Sequence, residues 1–136
     1  MLMCWTRDQR DVVGLWSWGQ PRFWGMPTWR TKIYPFLRDT AKKTWNEIDR
    51  EMTTGRRNSA AKRHKSYPVG EIAKEAQDRL RDISLDDLDE VFRFRLASTE
   101  RLYGFVIQHM FFVIWWDPYH NICPSDIQDR GKQRRG

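Results

Sequence analysis

The stretch 101–124, RLYGFVIQHMFFVIWWDPYHNICP, decides how this chain is read. Within it, Met110–Trp116 is the longest unbroken apolar run, and it stops at Asp117-Pro118. An aromatic and β-branched run of this length, closed by a turn signal, predicts a strand buried on both faces. A transmembrane helix needs about 20 apolar residues, so no membrane span is expected here.

Working back from that strand, the pattern repeats. Arg101–Ile107 reads as a strand, and Gln108-His109 links it to the buried run. Before it, Phe92, Phe94 and Leu96 alternate with Arg93 and Arg95, a period of two that marks another strand. Three sequential strands with short links predict an antiparallel meander over about 91–116.

Both faces of the central strand then need covering, and the rest of the chain offers the material. Apolar residues from Ile33 through Leu37, Trp45 and Ile48 to Met52 recur at helical steps within Thr28–Met52. Pro35 predicts a helix start or kink nearby, because its ring removes a donor and constrains the residue before it. Thr44-Trp45-Asn46-Glu47 matches a capping box, so a separate helix is expected from Thr44, with Gly55 as a stop. Pro68 is expected to open a further helix running to about Ile83, with Val69, Ile72, Ala73, Ala76, Leu80 and Ile83 as its apolar stripe. Upstream, Trp16 and Trp18 alternate with Ser17 and Gly19, which predicts a β-hairpin over residues 3–19. The expected fold is α+β: the antiparallel meander packed by two or three helices, with a possible N-terminal β-hairpin. Residues 1–125 are read as a single domain and 126–136 as a flexible basic tail.

The chain has 136 residues and a formal charge of +6, and its positive charge is clustered. Arg56–Lys65 (RRNSAAKRHK) carries five Lys/Arg and no acid, and Arg130–Arg135 carries four more. Such clusters favour polyanions, since phosphate binding releases condensed counterions. Arg56, Arg57, Lys62, Arg63 and Lys65, in a polar loop expected over Thr53–Tyr67, are therefore candidate nucleic-acid contacts; the alternative is a solvated loop that maintains solubility. His64 is expected to be exposed in that loop. Arg93, Arg95 and Arg101 would share one side of the meander, either as a phosphate or RNA-backbone platform or as a solvated face paired with acids. Most of the N-terminal tryptophans are expected in the core, with one or two exposed for stacking on bases.

Just beyond the buried strand lie Asp117, Tyr119, His120 and Cys123. Loops at strand ends commonly carry sites. His120 is a candidate general acid or base, and Tyr119 could orient a phosphate. The competing reading makes Asp117-Pro118 a turn with His120 bonded to backbone. The three-residue spacing of Asp117, His120 and Cys123 also admits a metal, but no second pair of ligands is evident and none is expected. The chain has no Gly-rich phosphate loop, nucleophile elbow, HExxH or paired CxxC, which argues against nucleotide hydrolases and zinc peptidases, and no cofactor is expected. Cys4 and Cys123 are expected as free thiols of a cytoplasmic protein.

Residues 45–125 resemble a group of small uncharacterised bacterial proteins, through AQDRLRDI at 76–83, DDLDEVFRFRL at 86–96, RLYGF at 101–105 and WWDPYHNICPS at 115–125. WSWG at 16–19 and TWNEI at 44–48 fit the same pattern. Residues 68–124, with helices followed by FRFRL, RLYGFVI and MFFVIWWDPYH, also resemble the RelE/ParE-like toxins of bacterial toxin–antitoxin systems. That resemblance implies a small basic protein with an antiparallel sheet. RelE-like members cut mRNA on the ribosome with basic and aromatic side chains, whereas ParE-like members act on gyrase. Carried onto this chain, it makes Arg95, Arg101, Tyr119 and His120 the candidate catalytic residues of a metal-independent endoribonuclease, with RNA or the ribosome and a cognate antitoxin as partners. The chain departs from the toxin pattern in its Trp-rich N-terminus and in Asp117 beside the site. The alternative is a non-catalytic nucleic-acid- or protein-binding accessory module of a mobile element or defence locus. Oligomeric state is left open by the sequence.

Overall fold

The computed structural model describes residues 1–54 and 60–123, with only the backbone of Thr54 and Ala60. Residues 55–59, with Arg56 and Arg57, and the segment 124–136 lie outside the described residues, so the expectations for them stand as stated.

The predicted meander forms the centre of the molecule. It consists of β5 (Glu90–Arg95), β6 (Arg101–Ile107) and β7 (Met110–Asp117), paired antiparallel in sequence order. Gln108 takes a left-handed conformation at the tight turn before β7. Between Tyr103 and Gly104 the register with β7 slips, leaving Ile114 as an extra residue. Gly104 sits beside that bulge, where an added Cβ would run into the Phe112 carbonyl and lie 2.7 Å from the Phe111 ring. The slip turns both Ile114 and Trp115 toward one face, and Val113 and Trp116 toward the other.

Two strands extend the meander into a five-stranded mixed sheet, giving an α+β fold. On one edge, β4 (Lys65–Pro68) pairs antiparallel with β5. On the other, β1 (Cys4–Thr6) runs parallel to β7. This corrects the N-terminal hairpin expected over 3–19. The segment lies along β7 instead, and the Asp11 amide donates to the Ile114 carbonyl (2.9 Å). The edge of the most apolar strand, with its unpaired backbone groups, takes this segment up as an added strand. Trp16 and Trp18 are not strand residues but stacked rings, 4.8 Å apart, with Trp16 edge-on to Trp115.

The polar loop expected over Thr53–Tyr67 is also corrected. It contains β4 and a separate two-stranded ribbon of β2 (Met52–Thr54) and β3 (Ala60–Lys62). The helix expected from Pro68 begins later. A 3-10 turn at Val69–Glu71 precedes α4 (Lys74–Asp82), because Pro68 is held extended as the last residue of β4.

Each face of the sheet has its own cover. α4 lays Ala76 and Leu80 against Val91, Tyr103, Phe105, Ile114 and Trp115, with Trp16 and Ile122 completing that core. On the opposite face, a helical stretch carries Trp29, Ile33 and Leu37 onto Phe94, Leu102, Phe111, Val113 and Trp116. That stretch is α1 (Met26–Thr28), a π-helical turn at Trp29–Ile33 and α2 (Tyr34–Thr40). The π turn comes immediately before Pro35, where the proline ring would clash with a regular helical carbonyl. α3 (Trp45–Arg50) follows, adding Ile48 to the same core; it ends at Arg50, short of the expected Gly55. Its capping box is formed: Thr44 Oγ1 accepts from the Glu47 amide and Glu47 Oε1 accepts from the Thr44 amide, both at 3.1 Å.

A buried carboxylate ties the N-terminal segment to one of these cores. Asp11 accepts two hydrogen bonds from Arg79 of α4 (2.8 and 2.7 Å) and one from the Trp115 indole (2.9 Å). Burial alone would raise its pKa, but these bonds and the Arg79 charge outweigh it and hold Asp11 below the usual carboxylate value. No helix among the described residues is long and apolar enough to cross a membrane.

Candidate functional site

The candidate residues of the meander converge at one end of the sheet. Cross-strand pairing places Arg95 opposite Arg101, and Arg101 opposite Asp117, with Pro118–His120 just beyond. The strand alternation also puts Arg93, Arg95 and Arg101 on the face away from Phe94 and Leu102, as the sequence suggests.

That face is not the open platform expected. Arg101 is only 1% exposed; its Nη1 donates to the Ser98 carbonyl (2.7 Å) and the Glu100 carbonyl (3.1 Å). Arg93 is buried as well, donating to the Tyr67 hydroxyl (2.9 Å) and the Arg63 carbonyl (2.7 Å). The cause is tertiary: Tyr67 of β4, α4 and the stacked tryptophans cover the side the sequence left to solvent. Arg95 is half-buried.

Beyond β7, the chain turns back beneath the sheet end. Asp117 is buried and accepts from the amides of Asn121 (3.1 Å) and Ile122 (2.8 Å). Burial raises its pKa despite these bonds and the nearby His120. His120 is buried and adopts a left-handed backbone, φ 69°, in that turn. Asp117, His120 and Cys123 do not assemble into a ligand set: Asp117 is occupied by backbone amides and Cys123 sits in the α4-side core. Among the described residues no three His, Cys, Asp or Glu side chains are grouped to hold a metal ion.

Tyr119 does the opposite of its neighbours and is 66% exposed. It stands on one rim of a cleft of about 520 Å³. One wall is the turn 97–100 with Trp116, Pro118 and Tyr119; the other is the Gly- and Pro-punctuated segment containing Gln20, Phe23, Trp24 and Thr28. Phe23, on that facing wall, is 62% exposed. Lys32 and Glu100 pair across the cleft, joining the π-helical turn to the β5–β6 link. Thr99 Oγ1 donates to the Pro118 carbonyl (2.7 Å), tying two parts of the same wall together. Local chemistry is therefore aromatic and hydroxyl-rich, with one paired cation.

Phe23 is the residue that sequence reading missed. No local signal marks it: in PRFWGMP the adjacent Trp24 is taken into the core while Phe23 stays in water. The tryptophans expected to be exposed are not: all eight are buried or half-buried, while the exposed rings are Phe23, Tyr34 and Tyr119.

The basic segment before β4 is also drawn inward. Arg63 donates to the carbonyls of Arg95 and Leu96 (both 3.1 Å), and pairs with Glu51. His64, expected to be exposed, is 2% exposed and packs edge-on against Phe36 and Phe94. These two residues extend the contact between β4 and β5 with side-chain bonds. Lys65 stays exposed over the Tyr67 ring, and Lys62 is half-exposed in an ion pair with Asp49. No family model, curated protein or solved structure matches this chain.

Proposed function

We propose that this protein binds single-stranded RNA without cleaving it, stacking unpaired bases on Phe23 and Tyr119. The observation that carries the reading is the pair of exposed rings on facing walls of one cleft, in a chain of net charge +6. Side-chain rings left in water at the mouth of a cleft suit base stacking, which any base can satisfy. Gln20, Thr28, Ser98 and Thr99 offer hydrogen bonds to base edges or 2′-hydroxyls along the cleft. The positive charge supplies sequence-independent attraction for the phosphate chain. Binding is favoured over cleavage because, of the four catalytic candidates, Arg101 and His120 are buried and Arg95 is half-buried, while Tyr119 alone lines the cleft.

Fluorescence anisotropy with an end-labelled oligouridine of about 12 nucleotides tests the reading. Wild type should bind. Phe23→Ala and Tyr119→Ala should each weaken binding roughly 5- to 150-fold, the range expected from about 1–3 kcal/mol per stacked base. Both side chains are largely exposed, so neither truncation should disturb the fold. Absence of binding, or wild-type affinity in both variants, would sink the proposal. Shortening of the RNA by wild type but not by folded His120→Ala would replace it with a RelE-type nuclease.

A further inference from the structure

A second groove lies at the other end of the same strands. Phe92 of β5 and Val106 of β6 form its floor, and Trp45 at the start of α3 stands edge-on to Phe92, with ring centroids 5.4 Å apart. The Trp45 indole donates to the His109 carbonyl (2.8 Å), which fixes the ring as a wall. The groove encloses about 520 Å³. Its rim is formed by Asp87, Asp89 and Glu90, all exposed. Ion pairs among the described residues use other acids and leave these three without a cationic partner.

Among the described residues this block of negative charge has no ion-pair partner, in a protein whose net charge is +6. Like charges at successive positions repel one another, and that repulsion is relieved when a cation enters. The half-buried aromatic floor beside it supplies what a carboxylate cluster by itself lacks: flat apolar surface able to take the stem and face of a long cationic side chain. A guanidinium fits both features, since it pairs with carboxylates bidentately and stacks on aromatic faces, whereas an ammonium does only part of this.

We infer that this acidic-rimmed aromatic groove docks an arginine-rich peptide segment of a partner protein, with an arginine side chain lying over Phe92 and Trp45 and its guanidinium held by Asp87, Asp89 and Glu90. The inference is independent of RNA binding, because the stacking cleft lies at the opposite end of the sheet.

The test uses a short fluorescein-labelled arginine–glycine peptide and the full chain. Wild type should bind it, and a lysine–glycine peptide of equal length should bind several-fold more weakly. The combined variant D87N/D89N/E90Q should lose about tenfold or more in affinity, equivalent to about 1.4 kcal/mol. D39N/D49N/D78N removes the same charge from exposed sites elsewhere and should remain within about twofold of wild type. In a nitrogen–proton correlation spectrum the peptide should shift the Trp45 indole and the amides of residues 87–92 and 104–106. Equal loss in both combined variants, equal affinity for the two peptides, or shifts spread over the whole surface would each overturn the inference in favour of diffuse electrostatic attraction.

Discussion

His64 Nδ1 accepts the Arg95 amide at 3.1 Å, so the neutral ring carries its proton on Nε2, which faces Glu51 Oε2 at 3.5 Å. Burial, together with the charges of Arg63, Arg93 and Lys43, lowers its pKa to about 3. In the unfolded chain a histidine titrates near 6.5. Above that value both states are neutral and the group leaves stability undiminished. As pH falls from about 6.5 toward about 3, the unfolded chain takes up a proton that the folded one refuses, and stability is lost at up to about 1.4 kcal/mol per pH unit. Urea denaturation across that window should show a shallower loss in His64→Asn, whose side-chain oxygen can still accept the Arg95 amide. Equal slopes in the two proteins would mean that His64 is not held neutral. None of this was legible in RRNSAAKRHK, where His64 has charged neighbours and no apolar period. Its burial comes from Phe36 and Phe94, 28 and 30 positions away. Phe23 and Tyr119 pose the converse case: nothing local distinguishes a ring that stays in water from one claimed by a core.

Among the elements, those set by local chemistry were the legible ones. The Thr44–Glu47 capping box is a contact between residues three apart, and it forms as the sequence indicates. Thr44→Ala should destabilise the protein by about 1 kcal/mol and lower its melting temperature by about 2–5 °C. Thermal denaturation checks this, and an unchanged melting point would show that Trp45 packing alone holds α3 in place. The meander was legible for a related reason, since its strands are consecutive and their links short. Legibility fails where pairing is remote. β4 is four residues with no alternating apolar pattern, and it becomes a strand because β5, more than 20 residues later, offers an edge. β1 is shorter still, and its partner lies at the far end of the chain. The helix expected from Pro68 has a sound apolar stripe, but Pro68 itself is claimed by the sheet and a 3-10 turn follows it. Ile72 packs into the α4-side core from outside the helix.

For the whole molecule, charge is distributed unevenly over a sheet with different chemistry at its two ends. The aromatic cleft of Phe23 and Tyr119 lies by the ends of β5 and β7, and the acidic groove by the start of β5. If the net positive charge acts as the general attraction for RNA, affinity should fall linearly on a log–log scale with salt, by about 0.7 per phosphate neutralised. The fraction of binding that survives at high salt should be the part removed by Tyr119→Ala. A salt-independent affinity would mean that stacking acts without phosphate contact.

The sequence by itself determined the α+β class, the three-stranded meander, the helix cap at Thr44 and the helix start beside Pro35, because each rests on neighbours or on a short period. It also indicated that Arg93, Arg95 and Arg101 share one side, which strand alternation alone requires. Only the tertiary structure decided that this side is covered, that His64 and His120 are buried, that Asp11 anchors α4 to β7, and that Phe23 and Tyr119 line one cleft. Those outcomes depend on which remote segments compete for the faces and edges of the sheet. Burial is settled by that competition, in which the largest apolar contact wins and local polarity is overruled.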